Sequence, residues 1–314
     1  MPVREPFFSV VTPTFNRGQF LGKAIESVQA QTISDYEHII VDDGSVDNTE
    51  ELVKEYSLAD SRIIYIKQKN RGRSIARNIG MKRAQGDYVC FLDSDDFWRS
   101  NHLAAIKVSI GLNAPPSLYV TQLTWWRETL GIEETVVYAD RAQFKSDVEY
   151  VIANEFAPDC VAISRLIYLK YAFNPELYIN EDLELWARIA AKYPVKTVNQ
   201  NTAVLRVHSG NTNSTEKDYI NPRINVFKLQ MRTPEVLAGL SDGFIRNRKQ
   251  SLNELLIRHL ESIESRWLFI LQSLLFVVKY PSQPGNAAKL VSILYSLPGG
   301  SILKRLIQSS KSSN

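Results

Sequence analysis

FSVVTPTFNRGQFLGKAIESVQAQ, residues 8–31, decides the fold. Phe8 to Thr12 is an apolar run stopped by Pro13, the mark of a strand buried on both faces. Gly18 to Gln31 then carries Phe20, Leu21, Ala24, Ile25 and Val28 at the spacing of one helical face. The alternation repeats downstream as HIIV (His38–Val41), a helix after Asp47, RIIYI (Arg62–Ile66), a helix from Ser74 to Ala84, and YVCFL (Tyr88–Leu92). Apolar strands separated by single helices predict a parallel sheet covered on both faces. Right-handed crossovers make it a doubly wound α/β layer whose ligand crevice lies at the carboxyl ends of the strands.

Outward from that layer the pattern changes. SLYVTQLTWW (117–126), TVVYA (135–139) and TAVLRV (202–207) read as strands, Leu183 to Lys192 as a helix, and the chain beyond Pro222 as helical. WLFILQSLLFVV (267–278) is apolar for only a dozen residues, whereas a spanning helix needs about 20. Ala287, Leu290, Leu294 and Leu297 form an apolar stripe, and ILKRLI (302–307) a short basic-amphipathic turn. Two readings of this tail stay open. It packs against the rest of the chain or a second subunit in a homo-oligomer, or it attaches peripherally to an anionic inner-membrane surface.

Composition narrows the class. With 314 residues, 44% hydrophobic and 23% charged, the chain is neither disordered nor collagenous nor disulfide-stapled. Cys90 and Cys160 lie in apolar runs and read as reduced thiols of a cytoplasmic protein. The start, MPVREPFFSVVTPTF, shows no secretory leader pattern. A net charge of +3 gives no case for nucleic acid. Its distribution is uneven: residues 246–314 hold 10 Lys+Arg against 3 Asp+Glu, and the remainder 27 against 31.

The acids carry the chemistry. IIVDDGS places Asp42 and Asp43 just past the second strand, and CFLDSDD places Asp93, Asp95 and Asp96 just past the fourth. Both sets emerge at one sheet edge, where mutual repulsion calls for a cation or hydrogen-bond donors. Oxygen-only Asp-X-Asp at a strand end suits Mg²⁺ or Mn²⁺ shared with phosphate oxygens. G-x-G-x-x-G after the first strand, GxxxxGK[ST] and zinc-type Cys/His spacing are all absent, which argues against dinucleotide oxidoreductases, P-loop NTPases and zinc sites.

VVTPTFNRGQFLGKAIESVQAQT, VDDGSVDNT and NRGRSIARNIGMKRAQGDYVCFLDSDD, followed by YINEDLELWARIA (178–190) and VLRVHSGNTNS (204–214), resemble glycosyltransferase family 2. The resemblance implies a GT-A fold over residues 1–220, with a nucleotide-sugar-binding half (1–110), an acceptor-side half (111–220) and a helical extension (221–314). It implies a metal-dependent, inverting transfer from a nucleotide-diphosphate sugar, UDP-linked, to a glycan or lipid-linked acceptor hydroxyl in polysaccharide or cell-envelope synthesis. By the same resemblance Pro13, Thr14 and Asn16 line the nucleotide, Asp42 and Asp43 form the base-binding acidic turn, and Arg71, Gly72 and Arg77 lie over the nucleotide and its phosphates. Asp93 and Ser94 face the ribose, Asp95 reaches the metal with Asp93 beside it, His208 stands near the metal or the diphosphate as a phosphate contact or a metal ligand, and Arg206 meets phosphate. Asp182 is the implied base and Glu181 the second choice, although an acidic pair at a helix start also serves as a simple N-terminal charge pair. Two other classes stay open: a non-catalytic nucleotide-sugar-binding partner in a glycan-assembly complex, and a nucleotidyltransferase that would release pyrophosphate.

Overall fold

The computed structural model describes residues 5–111, 114–208, 211, 220–262 and 276. The first hundred residues build β1 (Phe8–Thr14), α1 (Gly18–Gln29), β2 (Tyr36–Asp42), α2 (Thr49–Ala59), β3 (Ile63–Lys67), α3 (Arg73–Arg83) and β4 (Tyr88–Phe91). They are followed by β5 (Phe97–Trp98), α4 (His102–Ile110), β6 (Leu118–Arg127), β7 (Ile132–Thr135), α5 (Asp147–Asn154), β8 (Val161–Ser164), α6 (Arg165–Tyr168), α7 (Glu181–Ala190) and β9 (Val195–Arg206). Helices α8 (Ile220–Arg232), α9 (Pro234–Ala238) and α10 (Asp242–Ser262) close the described chain.

The strand order is β3-β2-β1-β4-β8-β6-β9-β5, with β7 on β6. β3, β2, β1 and β4 are parallel neighbours, and every residue of β1 and β2 is buried, as strands covered on both faces must be. Leu21, Ala24, Ile25 and Val28 form the buried face of α1. Gly80 lets α3 close on β1: a Cβ there would stand 2.3 Å from Val11 Cγ1.

The far half is mixed. β8 runs antiparallel to β4 and to the first residues of β6, Leu118 to Val120, while β9 runs parallel to β6 and antiparallel to β5. The strand expected at 135–139 is displaced: the hairpin ladder on β6 covers Ile132–Thr135. Gly131, left-handed at φ 64°, turns the chain so that Arg127 meets Ile132, and this register ends the strand where the sequence pattern begins one. His38 and His102 are core groups, bonded to Thr12 Oγ1 (2.9 Å) and Thr202 Oγ1 (2.8 Å); burial pushes both imidazoles down to about 3. Cys90 and Cys160 are buried and unpaired.

The chain divides into two compact units, Met1–Ser241 and Asp242–Asn314. Among the described residues no helix is long and apolar enough to cross a membrane. The stripe at 287–297, the basic turn at 302–307 and, apart from Phe276, the apolar run at 267–278 lie outside the described residues.

Candidate active site

The carboxyl ends of β1 and β2 are tied together by backbone bonding, with the Asp43 amide donating to the Thr14 carbonyl at 2.8 Å. Asp42 is buried and accepts from the Ser45 amide (2.7 Å) and the Tyr65 hydroxyl (2.6 Å). Asp43, also buried, accepts from Gln68 Nε2 (2.6 Å) and from the amides of Arg71 (2.9 Å) and Gly72 (2.8 Å). One carboxylate therefore organises the loop that opens α3, and Gly72 takes φ 91° to make the turn. Asn16 is left-handed at φ 52°, its amide donates to Ser45 Oγ (2.9 Å) and its Oδ1 accepts from the Val46 amide (2.9 Å). The Thr14 hydroxyl is buried with no hydrogen-bond partner. Pro13, Thr14, Asn16, Asp42, Asp43, Arg71 and Gly72 thus gather at the ends of β1 and β2 and the loops beside them.

Arg77 joins this side to the next. Its guanidinium is buried, donates to Glu181 Oε1 at 2.5 Å and to Asp93 Oδ1 at 2.6 Å, and lies 5.3 Å from the Phe173 ring centroid. Two donors of the fork are thereby committed to carboxylates that stand 104 and 16 residues away in sequence. Arg73 stands 3.8 Å from the same Glu181 oxygen. Asn180, left-handed at φ 61°, turns the chain into α7, so Glu181 and Asp182 occupy its first turn. Burial, then the negative charge of Glu181, pushes the Asp182 carboxyl up to about 7, with the Arg77 guanidinium acting against them. A carboxylate poised there is suited to accept a proton near neutral pH.

The turn after β4 carries the remaining acids. Asp95 Oδ2 lies 3.1 Å from His208 Nε2 and 3.7 Å from the Arg17 guanidinium. The Phe20 ring is laid against the imidazole, centroids 4.4 Å apart. Asp96 is buried and accepts from the Arg206 amide at 2.7 Å. The buried Arg206 guanidinium lies over the Phe20 and Trp126 rings at 5.0 and 5.4 Å, and 3.6 Å from Glu128. Ser94 is buried within the turn. Asp93, Asp96 and Asp159 bring carboxylate oxygens within 4.8 Å of one another. Burial and neighbouring carboxylates raise Asp96 and Asp159 well above the usual carboxylate range.

Of the three expected metal ligands, Asp95 and His208 meet, while Asp93 is turned toward Arg77 and the Asp96–Asp159 pair. The 3.1 Å between Asp95 Oδ2 and His208 Nε2 fits two adjacent ligands of an octahedral ion, which stand about 3 Å apart when each bond is about 2.1 Å. Among the described residues, Asp93, Asp96 and Asp159 are the carboxylates whose oxygens lie close enough together to hold a cation. Sequence reasoning missed Asp159, Arg73 and Phe20; a buried Asp inside the apolar segment FAPDCVAI was the signal for the first. Trp186 is a core residue, its indole N–H donating to the Phe156 carbonyl at 3.0 Å, and Trp125 is exposed on the β6–β7 hairpin.

A parallel layer with acidic turns at its carboxyl edge, continued by an antiparallel half, is the architecture of the GT-A fold. Residues 9–107 match the model of Glycosyl transferase family 2. The chain is 42% identical over 101 residues to the glycosyltransferase TuaG of Bacillus subtilis, covering 32% of this chain and 40% of TuaG. It spans 15% to 40% of the length of the first curated relatives it matches. Its fold is similar to S. aureus TarS in complex with UDP-GlcNAc, with TM-score 0.60, 19% identity, and 93% of this chain and 81% of the other covered. It is similar also to the mannosyltransferase PcManGT of Pyrobaculum calidifontis in complex with GDP-Man and Mn²⁺, with TM-score 0.57, 16% identity, and 96% and 84% covered.

Proposed function

We propose that the chain is an inverting glycosyltransferase that moves a sugar from a UDP-linked donor to an acceptor hydroxyl. The observation that carries this reading is the buried Arg77 bridge, which holds the Glu181–Asp182 end of α7 beside the Asp93–Asp95 turn. In a single displacement the acceptor oxygen attacks the anomeric carbon and loses its proton to Asp182. The bond from that carbon to the diphosphate breaks, and the nucleoside diphosphate leaves. The base keeps the acceptor oxygen nucleophilic only in its deprotonated state, which the raised Asp182 pKa places near neutral pH.

The loops at the β1 and β2 ends receive the nucleotide, beside the buried Thr14 hydroxyl that has no hydrogen-bond partner. Asp95 and His208 would hold Mg²⁺ or Mn²⁺, which when bound neutralises charge on the leaving diphosphate. PcManGT in complex with GDP-Man and Mn²⁺, and TarS in complex with UDP-GlcNAc, support the cation and the donor class. TuaG, whose name places it in teichuronic acid biosynthesis, supports an acceptor in polysaccharide synthesis. The test is release of nucleoside diphosphate from a panel of UDP- and GDP-sugars with Mn²⁺. Wild-type turnover that vanishes in Asp95→Ala and Asp182→Asn, both still folded, supports the reading. Turnover that persists in either variant overturns the role given to that residue.

A further inference from the structure

Asp159 stands outside every motif of the sequence, yet it is built into the acidic turn. It lies in the single 3-10 turn Pro158–Cys160 just before β8 and is 1% exposed. Its Oδ1 accepts from the Asp93 amide at 2.7 Å, across 66 residues of sequence. Its own carbonyl accepts from the Trp98 indole N–H at 2.8 Å, and the Trp98 amide donates to Ser27 Oγ at 3.2 Å, so the turn bearing Asp159 is itself held. At the other end of the acidic turn the Asp96 amide donates to the Asp93 carbonyl (3.1 Å), and Asp96 Oδ1 accepts from the Arg206 amide, two residues before His208. The segment that presents Asp95 is thus pinned at its first residue by Asp159 and at its last by β9.

We propose that Asp159 is a positioning residue of the donor site: by accepting the Asp93 amide it sets where Asp95 stands relative to His208. This rests on the reading of Asp95 and His208 as the pair that would hold the cation. The oxygen Asp159 supplies is already taken by an amide, and its charge stands among two other carboxylates within 4.8 Å. An uncharged acceptor of the same shape would do the same work. The charge is dispensable and the acceptor is not.

Mn²⁺ titration of the full chain, followed by the paramagnetic resonance of the free ion, tests this without turnover. Asp159→Asn is expected to bind Mn²⁺ as the wild type does. Asp159→Ala is expected to weaken Mn²⁺ by about 10- to 100-fold, the usual effect of losing a residue that orients a ligand. Equal loss in both variants would make Asp159 a cation ligand and overturn the proposal, as would unchanged affinity in Asp159→Ala. If Asp159→Ala fails to fold, Asp159→Asn still decides, since loss of Mn²⁺ there is enough to reject the idea. A wild type that binds no Mn²⁺ with UDP present would count against the donor-site reading instead. Hydrogen exchange at the Asp93 amide is a second, independent readout. Protection kept in Asp159→Asn and lost in Asp159→Ala supports the positioning role, and any other pattern contradicts it.

Discussion

The edge formed by β1, β2 and β4 and the hairpin of β6 and β7 are built on opposite principles. At the first, carboxylates are consumed by backbone amides: Asp42 fixes Ser45, Asp43 fixes Arg71 and Gly72, and Asp159 fixes Asp93. At the second, Trp125, Leu130 and Ile132 are exposed, and the ion pairs Arg99–Glu133 and Arg127–Glu134 lie at the surface. Surface pairs of this kind contribute about 0–1 kcal/mol. A region whose polar groups hold its own backbone presents one rigid geometry, suited to a ligand part that never varies, such as a nucleoside diphosphate. A region that leaves aromatic surface open is suited to variation, as acceptors require.

The sharpest way to break this contrast is Asp182→Asn, which keeps shape and removes the proton acceptor. Transfer is expected to fall by about 10²- to 10⁴-fold with nucleotide affinity unchanged, measured by steady-state turnover and UDP titration. Arg77→Met comes next. It removes the buried cation bonded to both Glu181 and Asp93, leaving Glu181 only the more distant Arg73, and chemical unfolding should show a loss of about 3–5 kcal/mol. Gly80→Ala tests the close approach of α3 to β1. The added methyl meets Val11, and overpacking should cost about 1–3 kcal/mol in the same measurement.

A smaller effect sharpens the electrostatics. Turnover should rise with pH through about 7 as Asp182 loses its proton. Glu181 is one cause of that high value, so Glu181→Gln should move the rising limb to lower pH, read from the pH profile of kcat/KM. The smallest effect on the donor side is expected from Trp125→Ala, which should leave donor hydrolysis unchanged and raise the acceptor KM.

The same contrast explains what is legible in the sequence. The strands from Phe8 to Phe91 announce themselves because each carries a short apolar run and alternates with a single helix. The acidic turns are equally visible, since DDGS and DSDD are local strings. The wiring is not local: Arg77 reaches Glu181 across 104 residues, Asp96 reaches Arg206 across 110, and Asp95 reaches His208 across 113. No periodicity encodes such pairs, and only motif resemblance brings Asp95 and His208 together in advance. Asp159 has no motif to carry it and escapes sequence reasoning. The apolar pattern at 135–139 misleads for a related reason: it holds no trace of the Gly131 turn, which sets the register.

The most direct measurement is a crystal structure of the chain with Mn²⁺ and a non-hydrolysable UDP-sugar. The diphosphate is expected beside Asp95 and His208, the uracil among the loops at the β1 and β2 ends, and the Asp182 carboxylate on the face of the anomeric carbon opposite the leaving oxygen. A diphosphate bound away from Asp95, or an Asp182 carboxylate remote from that carbon, would contradict this arrangement.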